Sequence, residues 1–206
     1  MKILAHRGWW ETAAEKNSAL AFRRAFESGL GVETDVRDQD GILRIAHDMP
    51  KGPGLMTFAE FLDIYKAYPQ AGTIALNVKA DGLQAAVRAD LEAAGVTDLF
   101  CFDMAVPDSL IYLQKGFVTY TRHSEFEPVP PYYAEAHGVW LDAFRGDWIT
   151  TEVVQAHLDA GKAVALVSPE LHGRDYRPVW DSWAGLDHEN LAICTDLPHL
   201  AAEHWR

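Results

Sequence analysis

Short apolar runs alternate with helical patterns along the whole chain. The apolar runs predict eight strands, at Lys2–His6, Gly31–Arg37, Thr73–Lys79, Asp98–Asp103, Phe117–Arg122, Gly138–Phe144, Ala163–Ser168 and Leu191–Thr195. Apolar positions at helical spacing predict helices at Ser18–Ser28, Thr57–Tyr68, Leu83–Ala94, Pro107–Gln114, Pro131–Ala136, Thr151–Ala160, Arg177–Trp183 and Pro198–His204. An additional strand at Ile42–His47 follows Asp40-Gly41, a typical hairpin turn.

Regular alternation of strands and helices has two common solutions, a closed barrel and an open doubly wound sheet. No Gly-x-Gly-x-x-Gly turn follows the first strand, which disfavours a dinucleotide-binding sheet. The 206 residues allow about 26 residues per repeat, enough for a barrel without long insertions. We therefore predict an α/β fold: a single (β/α)8 TIM barrel domain over residues 1–206, with an extra hairpin strand after strand two.

The charge of the chain limits its partners. There are 18 Lys and Arg residues against 30 Asp and Glu residues, a net charge of −12 with neutral histidines. This negative net charge disfavours sequence-independent binding of nucleic acid. It still permits binding of a phosphate-bearing small molecule, because a bound metal ion makes the local electrostatic potential positive. No apolar run approaches the roughly 18 residues of a membrane span. The predicted partner is a small molecule, and the sequence predicts no oligomeric state.

Cysteine use and the start of the chain suggest a compartment. Cys101 and Cys194 both lie in apolar strand-like runs, so we expect two small buried hydrophobes in a reducing environment. The first residues contain no long apolar segment of a secretory leader. The expected location is the cytoplasm.

An acidic pair points to a metal ion. Glu33 and Asp35 are two residues apart on a predicted strand, so their side chains leave the same face. Two such carboxylates repel each other unless a cation or a shared proton intervenes. Mg²⁺ and Ca²⁺ prefer oxygen ligands, and Asn77 offers a further amide oxygen. We predict these three residues as metal ligands, the alternative being a solvated or arginine-paired acidic pair.

Histidines and cations also fall at predicted strand ends. His6 and His47 are candidate proton carriers, because imidazole titrates close to neutral pH. Arg7, Lys79 and Arg122 are candidate contacts for a phosphate, to which the forked guanidinium is well suited. The competing interpretations are hydrogen-bonded structural histidines and internal ion pairs with the acidic pair.

An ordered series of motifs spans nearly the whole chain: His6-Arg7-Gly8, Glu15-Lys16-Asn17-Ser18-Ala19, Glu33-Thr34-Asp35-Val36, Asp40-Gly41, His47-Asp48, Leu76-Asn77-Val78-Lys79, Phe102-Asp103 and Thr195-Asp196-Leu197-Pro198. With these motifs the chain resembles the glycerophosphodiester phosphodiesterase family, and more closely a short bacterial subgroup described as phosphodiesterase-like. The resemblance implies a (β/α)8 barrel and metal-assisted cleavage of a phosphodiester. It matches His6 and His47 to the acid/base pair, Glu33 and Asp35 to metal ligands, and Arg7 and Lys79 to phosphate contacts.

The chain departs from the family pattern at two places. Asn77 stands where the family usually has glutamate, so metal affinity is expected to fall, and Asp103 is an alternative third ligand. Only residues 49–56 separate His47-Asp48 from the next helix, where the glycerol-specific enzymes carry a sizeable insertion. A more open cleft is therefore expected, in which the phosphodiester chemistry carries over better than the glycerol specificity.

The later strand ends add polar residues to the predicted rim, namely Arg122, Glu125, Asp142, Glu170 and His172. They are expected either to contact a polyol or sugar-like group or to cap helices and pair with one another. Two further functions stay open. One is a barrel that binds a phosphorylated ligand without catalysis, and the other is a different metal-dependent barrel enzyme such as a sugar isomerase or aldolase.

Overall fold

The computed structural model describes residues 1–205, and Arg206, the last residue of the predicted domain, lies outside them. The strands are β1 (Lys2–His6), β2 (Gly31–Gln39), β3 (Ile42–Ile45), β4 (Ile74–Val78), β5 (Leu99–Phe102), β6 (Tyr120–Ser124), β7 (Gly138–Asp142), β8 (Ala163–Val167) and β9 (Leu191–Thr195). The α-helices of the described part are α1 (Ala19–Glu27), α2 (Phe58–Lys66), α3 (Gln84–Ala94), α4 (Val106–Gln114), α5 (Thr151–Asp159), α6 (Arg177–Trp183) and α7 (Pro198–His204). Short 3-10 turns cover Ala13–Glu15 and Pro169–His172.

Eight parallel strands form a nearly closed barrel in the order β5-β4-β2-β1-β9-β8-β7-β6. The seam between β5 and β6 is held by a parallel bridge between Cys101 and Thr119, where the Cys101 N–H donates to the Val118 carbonyl oxygen at 2.8 Å. The additional strand β3 pairs antiparallel with β2, as its hairpin turn predicts. The predicted barrel with its extra strand is confirmed.

One predicted helix, Pro131–Ala136, is wrong, because this segment forms a series of turns. Tyr132 has a φ of +44°, which breaks a right-handed helical path. Its carbonyl oxygen accepts a hydrogen bond from the Ala136 N–H at 2.9 Å, and Thr121 Oγ1 donates to the Pro131 carbonyl oxygen at 2.6 Å. Six residues are too few to form a helix without strong packing. The other predicted helices are confirmed, with ends within two residues.

Stacked aromatic rings fill the barrel. The rings of Phe100 and Tyr120 stack with centroids 3.8 Å apart, and those of Phe102 and Trp140 with centroids 3.9 Å apart. Small and aliphatic residues pack around them, among them Leu4, Ala75, Ala165, Val167 and Cys194. A filled barrel is a core rather than a channel, so a ligand binds at one of its mouths. No helix within residues 1–205 has the length and apolar character needed to cross a membrane.

Candidate active site

A cavity of about 260 Å³ opens at the carboxyl ends of the parallel strands, above Phe102 and Trp140. It is lined by seven of the eight site residues predicted from sequence: His6, Arg7, Glu33, His47, Asn77, Lys79 and Arg122. The eighth, Asp35, has 1% of its side chain exposed and lies against two of the lining cations. The structure therefore brings the predicted set together, while the role of each residue stays a prediction.

The turn after β1 shapes the first wall of the cavity. Arg7 has a φ of +57° and Gly8 a φ of +86°. A Cβ on Gly8 would lie 2.8 Å from the Cβ of Ala21 in α1, so glycine is the residue that fits this turn. The Arg7 N–H donates to the Glu33 carbonyl oxygen at 2.8 Å, and the Arg7 carbonyl oxygen accepts from the Asn17 N–H at 2.9 Å. These bonds fix Arg7 beside β2.

Three side-chain oxygens on neighbouring strands have no hydrogen-bond partner among the described residues. They are Oε2 of Glu33, Oδ1 of Asp35 and Oδ1 of Asn77. The register places Asp35 directly beside Asn77, and Glu33 directly beside His6. All three oxygen-bearing residues are buried. Because buried polar atoms are nearly always bonded, three such oxygens on one face call for a further partner.

The second oxygen of Asp35 is bonded. Its Oδ2 lies 3.2 Å from Arg7 Nε and accepts a hydrogen bond from Asn17 Nδ2 at 3.1 Å. Thr34 Oγ1 donates to Asn17 Oδ1 at 2.8 Å and fixes the orientation of that amide. Lys79 Nζ lies 3.9 Å from Asp35 Oδ1. The arginine-paired alternative thus holds for one oxygen of Asp35, and the other oxygen stays available to a ligand.

Glu33 is unusual among the carboxyl groups of the cavity. Its burial, reinforced by the negative charge of Asp35, raises the pKa of Glu33 to about 7. The positive charges of His6, Arg7 and Lys79 oppose this rise, and His6 Nε2 lies 3.8 Å from Glu33 Oε2. A carboxyl group that titrates near neutral pH can exchange its proton for a divalent cation.

Because its pKa is raised, Glu33 is expected to lower the free energy of unfolding of the metal-free protein at neutral and higher pH. The folded state holds the Glu33 proton more tightly than the unfolded state, so this group stabilises the fold at low pH and the benefit is lost as pH rises from about 4.5 to about 7. In a chelating buffer, Glu33→Gln is expected to match wild type at pH 4.5 and to exceed its free energy of unfolding at pH 8 by on the order of 3 kcal/mol. Urea denaturation across this range measures the difference.

The difference in free energy of unfolding between Glu33→Gln and wild type reports on Glu33 alone, because the other titrating groups are the same in both proteins. Burial and the nearby His123 lower the pKa of His157 to about 4, which makes stability rise with pH over part of the same range. That contribution is common to both proteins and cancels. Glu27→Gln, at an exposed position of α1, is the matched control. A difference between Glu33→Gln and wild type that does not grow with pH would contradict the prediction.

The donor set fits a hard divalent ion. Two carboxylate oxygens and one amide oxygen are the ligands that Mg²⁺ and Ca²⁺ prefer. Within residues 1–205 no group of three His, Cys, Asp or Glu side chains is placed to hold an ion, and the role of Asn77 as a third ligand stays a prediction. Asp103, the alternative third ligand, accepts from Lys79 Nζ at 3.0 Å and from Arg122 Nη1 at 2.7 Å, whereas Asn77 Oδ1 has no partner among the described residues.

His6 is oriented by the carboxylate of Asp196, a residue to which the sequence analysis assigns no role. Its Nδ1 lies 2.6 Å from Asp196 Oδ1, so Nε2 points towards Glu33. Lys16 Nζ donates to the other oxygen of Asp196 at 3.5 Å. The Asp196 N–H in turn donates to Glu170 Oε1 at 3.1 Å. A His–Asp pair of this kind fixes the tautomer of the ring and stabilises its charged form.

Glu170 holds the Asp196 backbone in place. Besides the Asp196 N–H, it accepts hydrogen bonds from the Ser168 and Thr195 hydroxyl groups, and both of these residues are fully buried. The indole N–H of Trp180 donates to Ser168 Oγ at 2.8 Å. Glu170 therefore belongs to a part-buried network that reaches His6 through Asp196, and it does not line the cavity.

Removal of the Glu170 carboxylate is expected to destabilise the fold. Glu170→Ala leaves two hydroxyl groups and one backbone N–H without their acceptor, at a cost of about 1–3 kcal/mol. Urea denaturation of the variant measures the change. Glu203→Ala, which removes an exposed glutamate from α7, is the control and is expected to change stability by less than about 0.5 kcal/mol. Equal stabilities of the two variants would contradict the account of this network.

His47 stands on the rim of the cavity. Nearly half of its side chain is exposed, and its Nδ1 lies 2.8 Å from Oδ1 of the exposed Asp48. It lines the same cavity as His6, although its own partner is in solvent. The two histidines thus have different environments: an enclosed ring with a fixed orientation and a ring in open contact with water.

The predicted phosphate contacts take part in ion pairs. Lys79 and Arg122 share Asp103, and Arg122 Nε also donates to Glu127. Arg7 is paired with Asp35. The predicted ion pairs with the acidic pair hold for Arg7 and Lys79, which contact Asp35, and not for Arg122. All three cations line the cavity, and their contact with phosphate stays a prediction.

On the far wall, His172 Nε2 lies 2.6 Å from Asp142 Oδ1, and both residues line the cavity. Pairing of the rim residues with one another is one of the two alternatives that the sequence leaves open, and these two residues pair in this way. Glu125, the remaining rim candidate, accepts hydrogen bonds from the N–H groups of Phe144, Arg145 and Gly146. It therefore fixes the loop after β7 and is not among the residues that line the cavity.

Comparison with solved structures identifies proteins that share this fold, whereas comparison of the sequence alone finds no relative. No protein-family model matches the chain, and no curated protein matches its sequence. A glycerophosphodiester phosphodiesterase from Agrobacterium tumefaciens has a similar structure, with a TM-score of 0.75, 19% identity, and 98% of this chain and 99% of that chain covered. A phosphodiesterase from Oleispira antarctica, solved with its product sn-glycerol-3-phosphate, gives a TM-score of 0.72 at 18% identity, with 99% of this chain and 96% of that chain covered. At these identities the likeness establishes a shared fold over the whole described chain.

Proposed function

We propose that this protein is a metal-dependent phosphodiesterase that cleaves a small phosphodiester of the glycerophosphodiester or sugar-phosphate kind. One observation carries the proposal. Unpartnered oxygens of Glu33, Asp35 and Asn77 lie at one mouth of the barrel, together with the oriented ring of His6 and several paired basic side chains. The two phosphodiesterases with the same fold support it.

Glu33, Asp35 and Asn77 would hold Mg²⁺ or Ca²⁺, which, when bound, neutralises the negative charge that develops on the phosphate. Arg7 and Lys79 lie against Asp35, where they can bind the remaining phosphate oxygens. Arg122 lies further around the mouth and shares Asp103 with Lys79. The basic side chains thus orient the phosphate and add to its charge stabilisation.

In this proposal His6 and His47 move the protons. Since Asp196 holds Nδ1 of His6, Nε2 accepts the proton of the attacking water or substrate hydroxyl, and Asp196 stabilises the imidazolium. The new phosphorus–oxygen bond forms as the bond to the departing alcohol breaks, and His47 gives a proton to that alcohol. Attack by water yields a monoester, and attack by a neighbouring hydroxyl yields a cyclic phosphate.

A barrel that binds a phosphorylated ligand without turnover is the second candidate. Asn77 favours it, because an amide in place of a third carboxylate weakens the hold on a cation. In either case the ligand is a small molecule. We place the protein in the cytoplasm, because its two buried, unpaired cysteines suit a reducing compartment.

Hydrolysis of bis(p-nitrophenyl) phosphate separates the two candidates. We expect Mg²⁺ or Ca²⁺ to stimulate release of nitrophenolate, and a chelator to abolish it. The matching monoester, p-nitrophenyl phosphate, serves as the control and is expected to be a poor substrate. Binding of phosphate without turnover of this ester or of small alkyl diesters would favour the binding barrel.

A further inference from the structure

A second cavity, of about 370 Å³, opens at the amino ends of the parallel strands, at the mouth opposite the candidate active site. Phe100 and Tyr120 line this amino-end cavity, whereas Phe102 and Trp140 line the active-site cavity. The stacked rings of the barrel core therefore separate the two cavities. A molecule bound in the amino-end cavity would not touch the residues that are proposed to hold the phosphate.

Small residues leave the amino-end cavity open. Ala165 packs inside the barrel, and residues two positions apart on a strand face the same side, so Ala163 at the start of β8 also faces inward. The first residue of β2 at this mouth is Gly31. A Cβ on Gly31 would lie 2.7 Å from the Leu4 side chain and 2.5 Å from the Thr73 carbonyl oxygen, so glycine is the residue that fits. Two of the eight strands thus add no bulky side chain to this mouth.

Two side chains of opposite charge stand at this mouth. Lys2 begins β1, and Asp98 directly precedes β5, three places away in the strand order of the barrel. Both line the cavity at its exposed edge, and neither side chain forms an ion pair or a hydrogen bond within residues 1–205. The amino group of Met1 is paired with Asp187 at 3.4 Å. The mouth therefore presents to a ligand a positive and a negative charge that are unpaired among the described residues, with β2 and β4 between them.

Neutral groups complete the lining around the negative charge. Thr73 and Tyr120 line the cavity, and their hydroxyl groups make no hydrogen bond within the part of the chain that the structure describes. Burial, reinforced by the negative charge of Asp98, raises the pKa of Tyr120 to about 12, so its hydroxyl group keeps its proton at neutral pH. Hydroxyl oxygens can accept from an ammonium group beside Asp98. Leu4 and Ala192 provide an apolar floor between the two charges.

We infer that the amino-end cavity binds a small zwitterion, whose ammonium group pairs with Asp98 and whose carboxylate pairs with Lys2. A ligand with a single charge leaves one of these side chains unpaired, whereas a zwitterion with a short apolar segment satisfies both and covers the apolar floor. An ω-amino acid and a dipeptide both have this form. The volume of about 370 Å³ lies within the usual range of small-molecule sites. The inference does not depend on the proposed function, because it concerns the other mouth of the barrel.

Calorimetric titration with δ-aminovaleric acid tests the inference, with pentylamine and valeric acid as probes that carry one charge each. Wild type is expected to bind the zwitterion about 10-fold or more tightly than either single-charge probe. Lys2→Gln and Asp98→Asn are each expected to weaken binding of the zwitterion about 10-fold. Lys115→Gln, which removes an exposed cation outside the cavity lining, is the matched control and is expected to leave the affinity unchanged.

Reversal of the two charges is a stricter test. Lys2→Glu alone and Asp98→Lys alone each place two like charges at the mouth, and each is expected to abolish measurable binding. The double variant Lys2→Glu/Asp98→Lys restores opposite charges and is expected to bind δ-aminovaleric acid within about 3-fold of wild type, in the reversed direction. A double variant that binds no better than the single variants would contradict the inference.

Further variants locate the bound probe. Ala163→Leu places a larger side chain in the cavity without a change of charge and is expected to abolish binding, whereas Ala93→Leu, at an exposed position of α3, is expected to leave it unchanged. Glu33→Gln, at the other mouth, is also expected to leave it unchanged. No measurable binding to wild type, equal affinity for the three probes, or a loss caused by Glu33→Gln but not by Lys2→Gln would overturn the inference.

Discussion

The His6→Ala variant is expected to lose about 10³-fold in kcat on a phosphodiester, within the range that a general acid or base contributes. The Nδ1 atom of His6 is held by Asp196, and Nε2 lies beside the unpartnered oxygen of Glu33. The enclosed ring therefore has one orientation, with a proton-accepting atom directed at the proposed phosphate. Steady-state hydrolysis of bis(p-nitrophenyl) phosphate under saturating Mg²⁺ measures the loss.

Asp196→Asn is the companion variant and is expected to lose about 10- to 100-fold, because the amide no longer stabilises a positively charged His6 ring. His188→Ala controls for the loss of a histidine outside the cavity. A His6→Ala variant that folds like wild type and keeps its kcat would remove His6 from the chemistry.

The Asn77→Glu variant is expected to bind Mg²⁺ or Ca²⁺ about 10-fold or more tightly than wild type. It adds a third carboxylate beside Asp35 and Glu33, where the low polarity of the buried face strengthens attraction to a cation. Without the ion, the same variant is expected to be less stable than wild type, because three buried carboxylates repel one another. Calorimetric titration gives the affinity, and thermal unfolding with and without the ion gives the change in stability.

Two variants complete this experiment. Glu33→Gln is expected to abolish measurable ion binding, because it removes one of the two carboxylates on the site. Asn190→Asp also adds one carboxylate to the chain, but at the opposite mouth of the barrel, and is expected to leave the affinity unchanged. If Asn190→Asp and Asn77→Glu raise ion affinity equally, the gain comes from net charge and the proposed ligand set is wrong.

Most of the barrel is predictable from local patterns. Strands buried on both faces appear in the sequence as short apolar runs, and the ends of Lys2–His6 and Leu191–Thr195 are predicted without error. Active sites of such barrels lie at the carboxyl ends of the strands, and this rule correctly predicts that seven residues from separate repeats line one cavity. The helix expected at Pro131–Ala136 fails because the positive φ of Tyr132 is not visible in an apolar pattern.

Pairings across the barrel are harder to predict. His6 and Asp196 are 190 residues apart, and only the closure of β1 against β9 brings them together. The signal in the sequence is the position of Asp196, directly after the last strand. Glu125 and Glu170 look like rim residues in the sequence, but Glu125 accepts three backbone N–H groups, and Glu170 accepts one backbone N–H and two hydroxyl groups. Which way such a side chain turns depends on loop geometry that spacing does not encode.

The most direct test of the central claim is a crystal structure of the protein soaked with Mn²⁺ and inorganic phosphate, with anomalous scattering to locate the ion. Mn²⁺ prefers the same oxygen ligands as Mg²⁺. The account predicts one ion bound by Glu33, Asp35 and Asn77, with phosphate between it, Arg7 and Lys79 and within hydrogen-bond reach of His6. An ion bound elsewhere, or phosphate bound away from this acidic face, would contradict it.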